Sequence, residues 1–155
     1  KQVAKIANGF NANVFAYDPY VKDRKIYENL NVKYCETMDE ILKNCDFISI
    51  HVPLTDETKN LINEKEINLM KKNAILINTS RGGVVNENAL IEALKNKRIF
   101  GACLDVFENE PNINEEFLNL DNVILTPHIA SQTEEAQKRA GKTIVEEIKR
   151  LLNVQ

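Results

Sequence analysis

Tryptophan is absent from these 155 residues and glycine occurs only five times. None of the glycines forms G-x-G-x-x-G, so the chain does not spell out the turn that lets backbone cradle a phosphate at a helix N-terminus. The three cysteines, Cys35, Cys45 and Cys103, are odd in number, widely spaced and without C-x-x-C. That excludes a disulfide framework and a structural zinc site and predicts buried thiols, with no metal bound. No apolar run approaches the roughly 20 residues that span a bilayer, and the opening KQVAKIANGF is too short and too polar for a secretory signal. A soluble, cytoplasmic chain is expected, in which the sequon-like Asn78-Thr79-Ser80 carries no sugar. Charge of one sign is also lacking: a net charge of -3 gives no electrostatic reason to expect nucleic acid or an anionic membrane. Repeats, low-complexity tracts and flexible linkers are missing as well. What remains, 43% hydrophobic, is one globular domain with enough apolar residues for a core.

What is present is an alternation of strand-like and helix-like segments. Val3 to Phe10 reads as the tail of a helix, and Asn13 to Tyr17 as a short buried strand that delivers Asp18. A helical turn around Ile26 to Leu30 and an edge-like Val32 to Tyr34 follow. Thr37-Met38-Asp39-Glu40 spells a capping box, opening a helix that ends near Cys45. Asp46 to Val52 is the next strand, halted by Pro53. Asn63 to Met70 reads as helix, Ala74 to Asn78 as strand, Asn86 to Lys95 as helix and Ile99 to Val106 as strand. A loop rich in Asn and Glu leads to the strand Val123 to Thr126. Ser131-Gln132-Thr133-Glu134 is a second capping box, and beyond it Ala136, Ala140, Ile144, Val145, Ile148, Leu151 and Leu152 recur at helical spacing. Strand followed by helix, repeatedly, predicts an α/β fold with a doubly wound parallel sheet.

In such a sheet ligands bind beyond the carboxyl ends of the strands. Three of the strands run into polar groups suited to oxidising a hydroxy acid. Arg81 lies in NTSRGG after Ala74 to Ile77, Glu110 stands before Pro111 in LDVFENEP, and His128 closes VILTPH. An α-hydroxy carboxylate is a planar anion that a guanidinium meets with two parallel hydrogen bonds, a geometry Lys cannot copy. Hydride leaves the carbinol carbon only as the hydroxyl proton is removed, and imidazole has the basicity for that near neutral pH. A carboxylate at Glu110 would bond one ring nitrogen, fixing the tautomer and favouring the protonated ring. Glu108 is the nearest rival for that task.

Asn78 to Gly83, Leu104 to Pro111 and Thr126 to Ile129, in this order and at these separations, resemble the signatures of the D-isomer-specific 2-hydroxyacid dehydrogenases. The resemblance covers the whole chain. YDP at Tyr17 to Pro19, HVPLTDET at His51 to Thr58 and SQTEEAQ at Ser131 to Gln137 are most similar to its phosphoglycerate dehydrogenase branch. It implies that Arg81, Glu110 and His128 are catalytic, and that residues 1-155 form most of a Rossmann-type NAD-binding domain. The first strand and its glycines would precede Lys1, and a substrate-binding domain would lie outside the segment. The expected strand order, 3-2-1-4-5-6, then leaves a vacant slot beside Val14 to Ala16.

The same resemblance implies NAD as cofactor, 3-phosphoglycerate as substrate, a role in serine biosynthesis and a homo-oligomer. Asp18, flanked by Tyr17 and Pro19, would accept hydrogen bonds from the ribose hydroxyls and repel a 2'-phosphate, whereas Lys22 and Arg24 nearby would suit one. Val52, Pro53 and Thr58 would line the adenine and ribose side, with His51 flanking the cofactor. Thr79, Ser80, Arg81 and Asp105 would lie along the nicotinamide, with His128, Ala130 and Ser131 closing the site. Hydroxypyruvate, glyoxylate and D-lactate reductases are the neighbouring activities within the family. Two other classes stay open: a hydrolase using Ser80, His128 and Asp105, which lacks the G-x-S-x-G elbow, and a non-enzymatic NAD sensor of the corepressor kind.

Overall fold

The computed structural model describes residues 1-21 and 23-153. Six strands and six helices alternate along them: α1 (Gln2–Gly9), β1 (Phe15–Ala16), α2 (Lys25–Glu28), β2 (Lys33–Tyr34), α3 (Met38–Asn44), β3 (Phe47–Ile50), α4 (Glu64–Leu69), β4 (Ile75–Asn78), α5 (Glu87–Lys95), β5 (Gly101–Leu104), β6 (Val123–Leu125) and α6 (Glu134–Leu152). Every strand pairing is parallel. The strands form two sheets, β1-β2 and β3-β4-β5-β6. No ladder joins β1 to β3, and among the described residues no strand occupies the position between them.

The strands are shorter than the apolar runs that announced them: β5 pairs only over Gly101–Leu104, although Ile99 and Val106 beyond its ends stay buried. In the four-stranded sheet one face is buried and the other is not. Ile48, Ile50, Leu76, Ala102 and Leu104 pack with Leu42 of α3, Ile67 of α4 and Leu90, Ile91 and Leu94 of α5 into one cluster. The alternation of a strand sends the next residues the other way. On that side Phe47 is 68% exposed and Ile124 65% exposed, and α1 and α6 bury no residue. Among the described residues, the helices that pack into the core, α3, α4 and α5, lie on the face of Ile48, Leu76 and Ala102.

Caps set the helix starts. The Glu40 carboxylate accepts from the Thr37 N–H at 3.1 Å, as the first capping box predicts. An unforeseen box opens α4, where the Asn63 N–H donates to Glu66 at 3.2 Å. The second expected box does not form. Thr133, not Ser131, is the N-cap of α6, its hydroxyl accepting from the Ala136 N–H at 3.1 Å, so Ser131 stays in the preceding loop. The Asn- and Glu-rich loop also holds a turn of 3-10 helix, Glu115–Asn119, anchored by the buried Phe117.

The three cysteines are free; Cys35 is buried and Cys45 and Cys103 half-buried. Burial pushes each thiol above its ordinary value, away from the reactive thiolate. No described helix is long and apolar enough to cross a membrane.

Candidate active site

Register aligns the functional loops. Ile50, Asn78, Leu104 and Leu125 are successive partners across the four strands, so the segments after them all leave one edge of the sheet. They carry His51, Arg81, Asp105 with Glu110, and His128.

Asn78 builds the Arg81 turn. It is 2% exposed. Its side-chain oxygen accepts from the Ser80 N–H at 3.0 Å and the Ser80 hydroxyl at 2.8 Å, while its amide donates to the Arg81 carbonyl at 3.0 Å. A four-residue turn is thereby closed on one side chain, leaving Thr79 and Arg81 exposed. One guanidinium nitrogen donates to the Ser80 carbonyl at 2.6 Å. Gly82 is required by contact rather than by dihedral freedom. A Cβ there would lie 1.8 Å from the Phe107 carbonyl oxygen, so the Arg81 turn is pressed directly onto the loop that bears Glu110.

Glu110 and His128 meet. The Glu110 carboxylate accepts from the Phe107 N–H at 2.9 Å with one oxygen and lies 2.7 Å from His128 Nδ1 with the other. The His128 hydrogen bond first, then the Phe107 N–H, hold the Glu110 carboxyl below its ordinary value. Nε2 of His128 has no partner among the described residues. The ring is offered by a backbone at φ 52°, a left-handed conformation that few non-glycine residues adopt and that histidine tolerates better than most. Glu108, the alternative to Glu110, is engaged elsewhere: its carboxylate accepts from the Glu87 N–H at 3.2 Å.

Asp105 supplies the constraint. It is 3% exposed and accepts from the Ile129 and Ala130 N–H groups, each at 2.9 Å, and from the Thr126 hydroxyl. Burial opposes its ionisation, but the hydrogen bonds from Thr126, Ile129 and Ala130, with the nearby His128, outweigh that and hold the carboxyl below its ordinary value. The carboxylate thus grips the chain on both sides of His128, through the Thr126 hydroxyl before it and two backbone N–H groups after it. Sequence reading named Asp105 for its place near the nicotinamide and missed this grip; no local pattern announces it, since its partners lie more than 20 residues away. Asn78 opens the NTSRGG segment in the sequence, but its role in closing the Arg81 turn was not foreseen.

Asp18 follows β1, one oxygen accepting from Tyr20 and Val21 N–H groups at 2.9 and 3.3 Å. The other oxygen has no partner among the described residues, so the carboxylate keeps the acceptor capacity that a pair of ribose hydroxyls needs. Tyr17 and Pro19 are exposed beside it. The Tyr20 hydroxyl donates to Glu57 at 2.6 Å, tying this loop to the one after β3. There, His51 Nε2 lies 3.0 Å from the Ser49 hydroxyl, Val52 and Pro53 run along the edge, and the Thr58 hydroxyl donates to the Pro53 carbonyl at 2.6 Å. Ser131 is exposed and the Ala130 N–H is spent on Asp105. Arg24, a candidate for a 2'-phosphate, is committed to Glu36 at 2.7 Å and stacks on Tyr34 at 3.6 Å. Lys22 lies outside the described residues.

This arrangement is that of a nucleotide-binding α/β domain with a carboxylate–imidazole pair at its strand ends. The chain belongs to the D-isomer specific 2-hydroxyacid dehydrogenase family, whose NAD binding domain matches residues 1-130. It is 48% identical to the D-3-phosphoglycerate dehydrogenase of Methanocaldococcus jannaschii, over 98% of this chain and 29% of that protein. It is 49% identical to the glyoxylate reductase of Thermococcus litoralis, over 94% of this chain and 44% of that protein. The crystal structure of the D-isomer specific 2-hydroxyacid dehydrogenase of Lactobacillus delbrueckii ssp. bulgaricus in its NAD-complexed form superposes with a TM-score of 0.86 at 31% identity, covering 99% of this chain and 50% of that one. The chain spans less than half the length of these curated relatives.

Proposed function

We propose that, within its complete protein, residues 1-155 form the NAD-binding domain of a dehydrogenase that interconverts a D-2-hydroxy acid and its 2-keto acid. Bound at the strand ends, NAD would supply the hydride acceptor. The protein's own residues do the rest. His128 takes the hydroxyl proton at Nε2 and returns it in the reverse direction. Glu110 keeps the proton of the neutral ring on Nδ1, so that Nε2 is the basic atom. Arg81 pairs with the substrate carboxylate through guanidinium nitrogens not used on Ser80. Asp105 holds the loop that presents His128 and, with both oxygens so occupied, acts there in preference to binding the carboxamide. The free oxygen of Asp18 receives the ribose hydroxyls, which favours NAD over NADP, while Tyr17, Pro19, His51, Val52, Pro53, Thr58, Thr79, Ser80, Ala130 and Ser131 border the cofactor. The observation that carries this reading is the 2.7 Å contact between Glu110 and His128 Nδ1, which leaves one ring nitrogen poised for proton transfer.

For the substrate we infer 3-phosphoglycerate and 3-phosphohydroxypyruvate, on the three segments shared with that branch and the M. jannaschii relative. Serine biosynthesis, a cytoplasmic location and a homo-oligomeric assembly complete the reading. The test is NADH oxidation by the complete protein with 3-phosphohydroxypyruvate, hydroxypyruvate, glyoxylate and pyruvate side by side. The highest kcat/KM is expected for the phosphorylated keto acid. A preference for glyoxylate or hydroxypyruvate would reassign the substrate, and no turnover with any of them, despite NADH binding, would replace the enzyme by an NAD sensor.

A further inference from the structure

Glu87 is the first residue of α5 and is only 8% exposed, an unusual place for a carboxylate. It is not part of the site described above. Its oxygen accepts from the Glu108 N–H at 2.7 Å, and the Glu108 carboxylate in turn accepts from the Glu87 N–H at 3.2 Å. Each acid caps the other's backbone across 21 residues of sequence. Glu108 lies between Phe107, whose carbonyl meets Gly82 and whose N–H holds Glu110, and Glu110 itself. Glu87, Asn78 and Gly82 also share the wall of a cavity of about 10 Å³ beneath the Arg81 turn, so the brace sits at the joint between the two loops.

We propose that Glu87 is a positioning residue: by holding the Glu108 N–H it fixes the Phe107 to Glu110 segment against the Arg81 turn, and so sets where the Glu110 carboxylate meets His128. A surface salt link would do this poorly, because two long side chains in water hold no fixed geometry. A buried carboxylate accepting a backbone N–H is directional and short, and removing it orphans that N–H. Burial pushes the Glu87 carboxyl up, while the Glu108 N–H opposes that shift.

The inference rests on the dehydrogenase reading for its kinetic consequence but not for its structural one. Two variants of the complete protein separate them. Glu87→Gln keeps an oxygen that accepts from Glu108, whereas Glu87→Met fills similar space and accepts nothing. In Glu87→Met, kcat for 2-keto acid reduction should fall by up to about 100-fold, the order expected for misplacement by an ångström, with NADH affinity unchanged. Glu87→Gln should restore most of the loss. The ring signal that His128→Gln removes from the histidine NMR spectrum should move in Glu87→Met and return towards its original position in Glu87→Gln. If the protein turns over no keto acid, that NMR difference still supports the link while the dehydrogenase reading falls. Normal kcat and an unmoved His128 signal in Glu87→Met, with only a lower melting temperature, would reduce Glu87 to a structural residue and overturn the proposal.

Discussion

The energetics of this site are concentrated in residues whose neighbours are backbone. At Gly82 any side chain collides with the Phe107 carbonyl, and neither partner is the flexible end of a side chain that can swing aside. Gly82→Ala should therefore cost at least the roughly 1 to 3 kcal/mol of ordinary overpacking and lower activity with it; a melt indistinguishable from the unmodified protein would show that the two loops are not in contact. Glu110 gives a pH dependence of defined sign. Its carboxyl is held below the ordinary value in the folded state, so its stabilisation is complete above the unfolded value of about 4.3 and is lost as pH falls through the folded one. The stability advantage of the unmodified protein over Glu110→Gln should accordingly shrink as pH drops below about 4.3, read as urea midpoints across pH. A gap that stays constant over that range would remove the ion from the account.

Between elements, the decisive link is Asp105, which carries the end of β5 to the loop between β6 and α6. Asp105→Asn turns one acceptor oxygen into a donor facing either the Ala130 N–H or the Ile129 N–H and Thr126 hydroxyl. A loss of at least about 2 kcal/mol is expected, since hydrogen bonds to a buried charge contribute about 1.5 to 3 kcal/mol each, together with loosening of the left-handed His128 backbone. Amide exchange confined to residues 126-131 would show it, and unchanged exchange there would count against the grip. Much of this scale was readable beforehand. Strand-helix alternation, the parallel sheet and the Thr37 box follow from periodicity and short-range caps, and Arg81, Glu110 and His128 follow from where apolar runs end. Partners separated by some twenty residues, such as Asp105 with Ile129 or Glu87 with Glu108, leave no local pattern. The Ser131 box failed because Thr133, two residues on, offers the same hydroxyl nearer to the helix.

For the molecule as a whole, the core is one-sided. One sheet face packs on α3, α4 and α5, while the other presents Phe47 and Ile124, and α6 presents Ile144, Val145, Ile148, Leu151 and Leu152 to solvent. Contiguous apolar surface of this kind drives association, and β1 and β3 each have an edge without a ladder partner. Residues 1-155 expressed alone should bind ANS, self-associate and hold NAD weakly. A monomeric chain by sedimentation that unfolds cooperatively and binds NAD tightly would contradict this.

On the proposed reading His128, oriented by Glu110, moves the proton while other residues hold the cofactor, and one substitution in the complete protein separates those tasks. His128→Gln should leave NADH affinity intact, measured by fluorescence titration, and slow keto-acid reduction by roughly 10²- to 10⁴-fold, the range of general acid/base catalysis. Turnover at the unmodified rate, with NADH bound as before, would contradict the account.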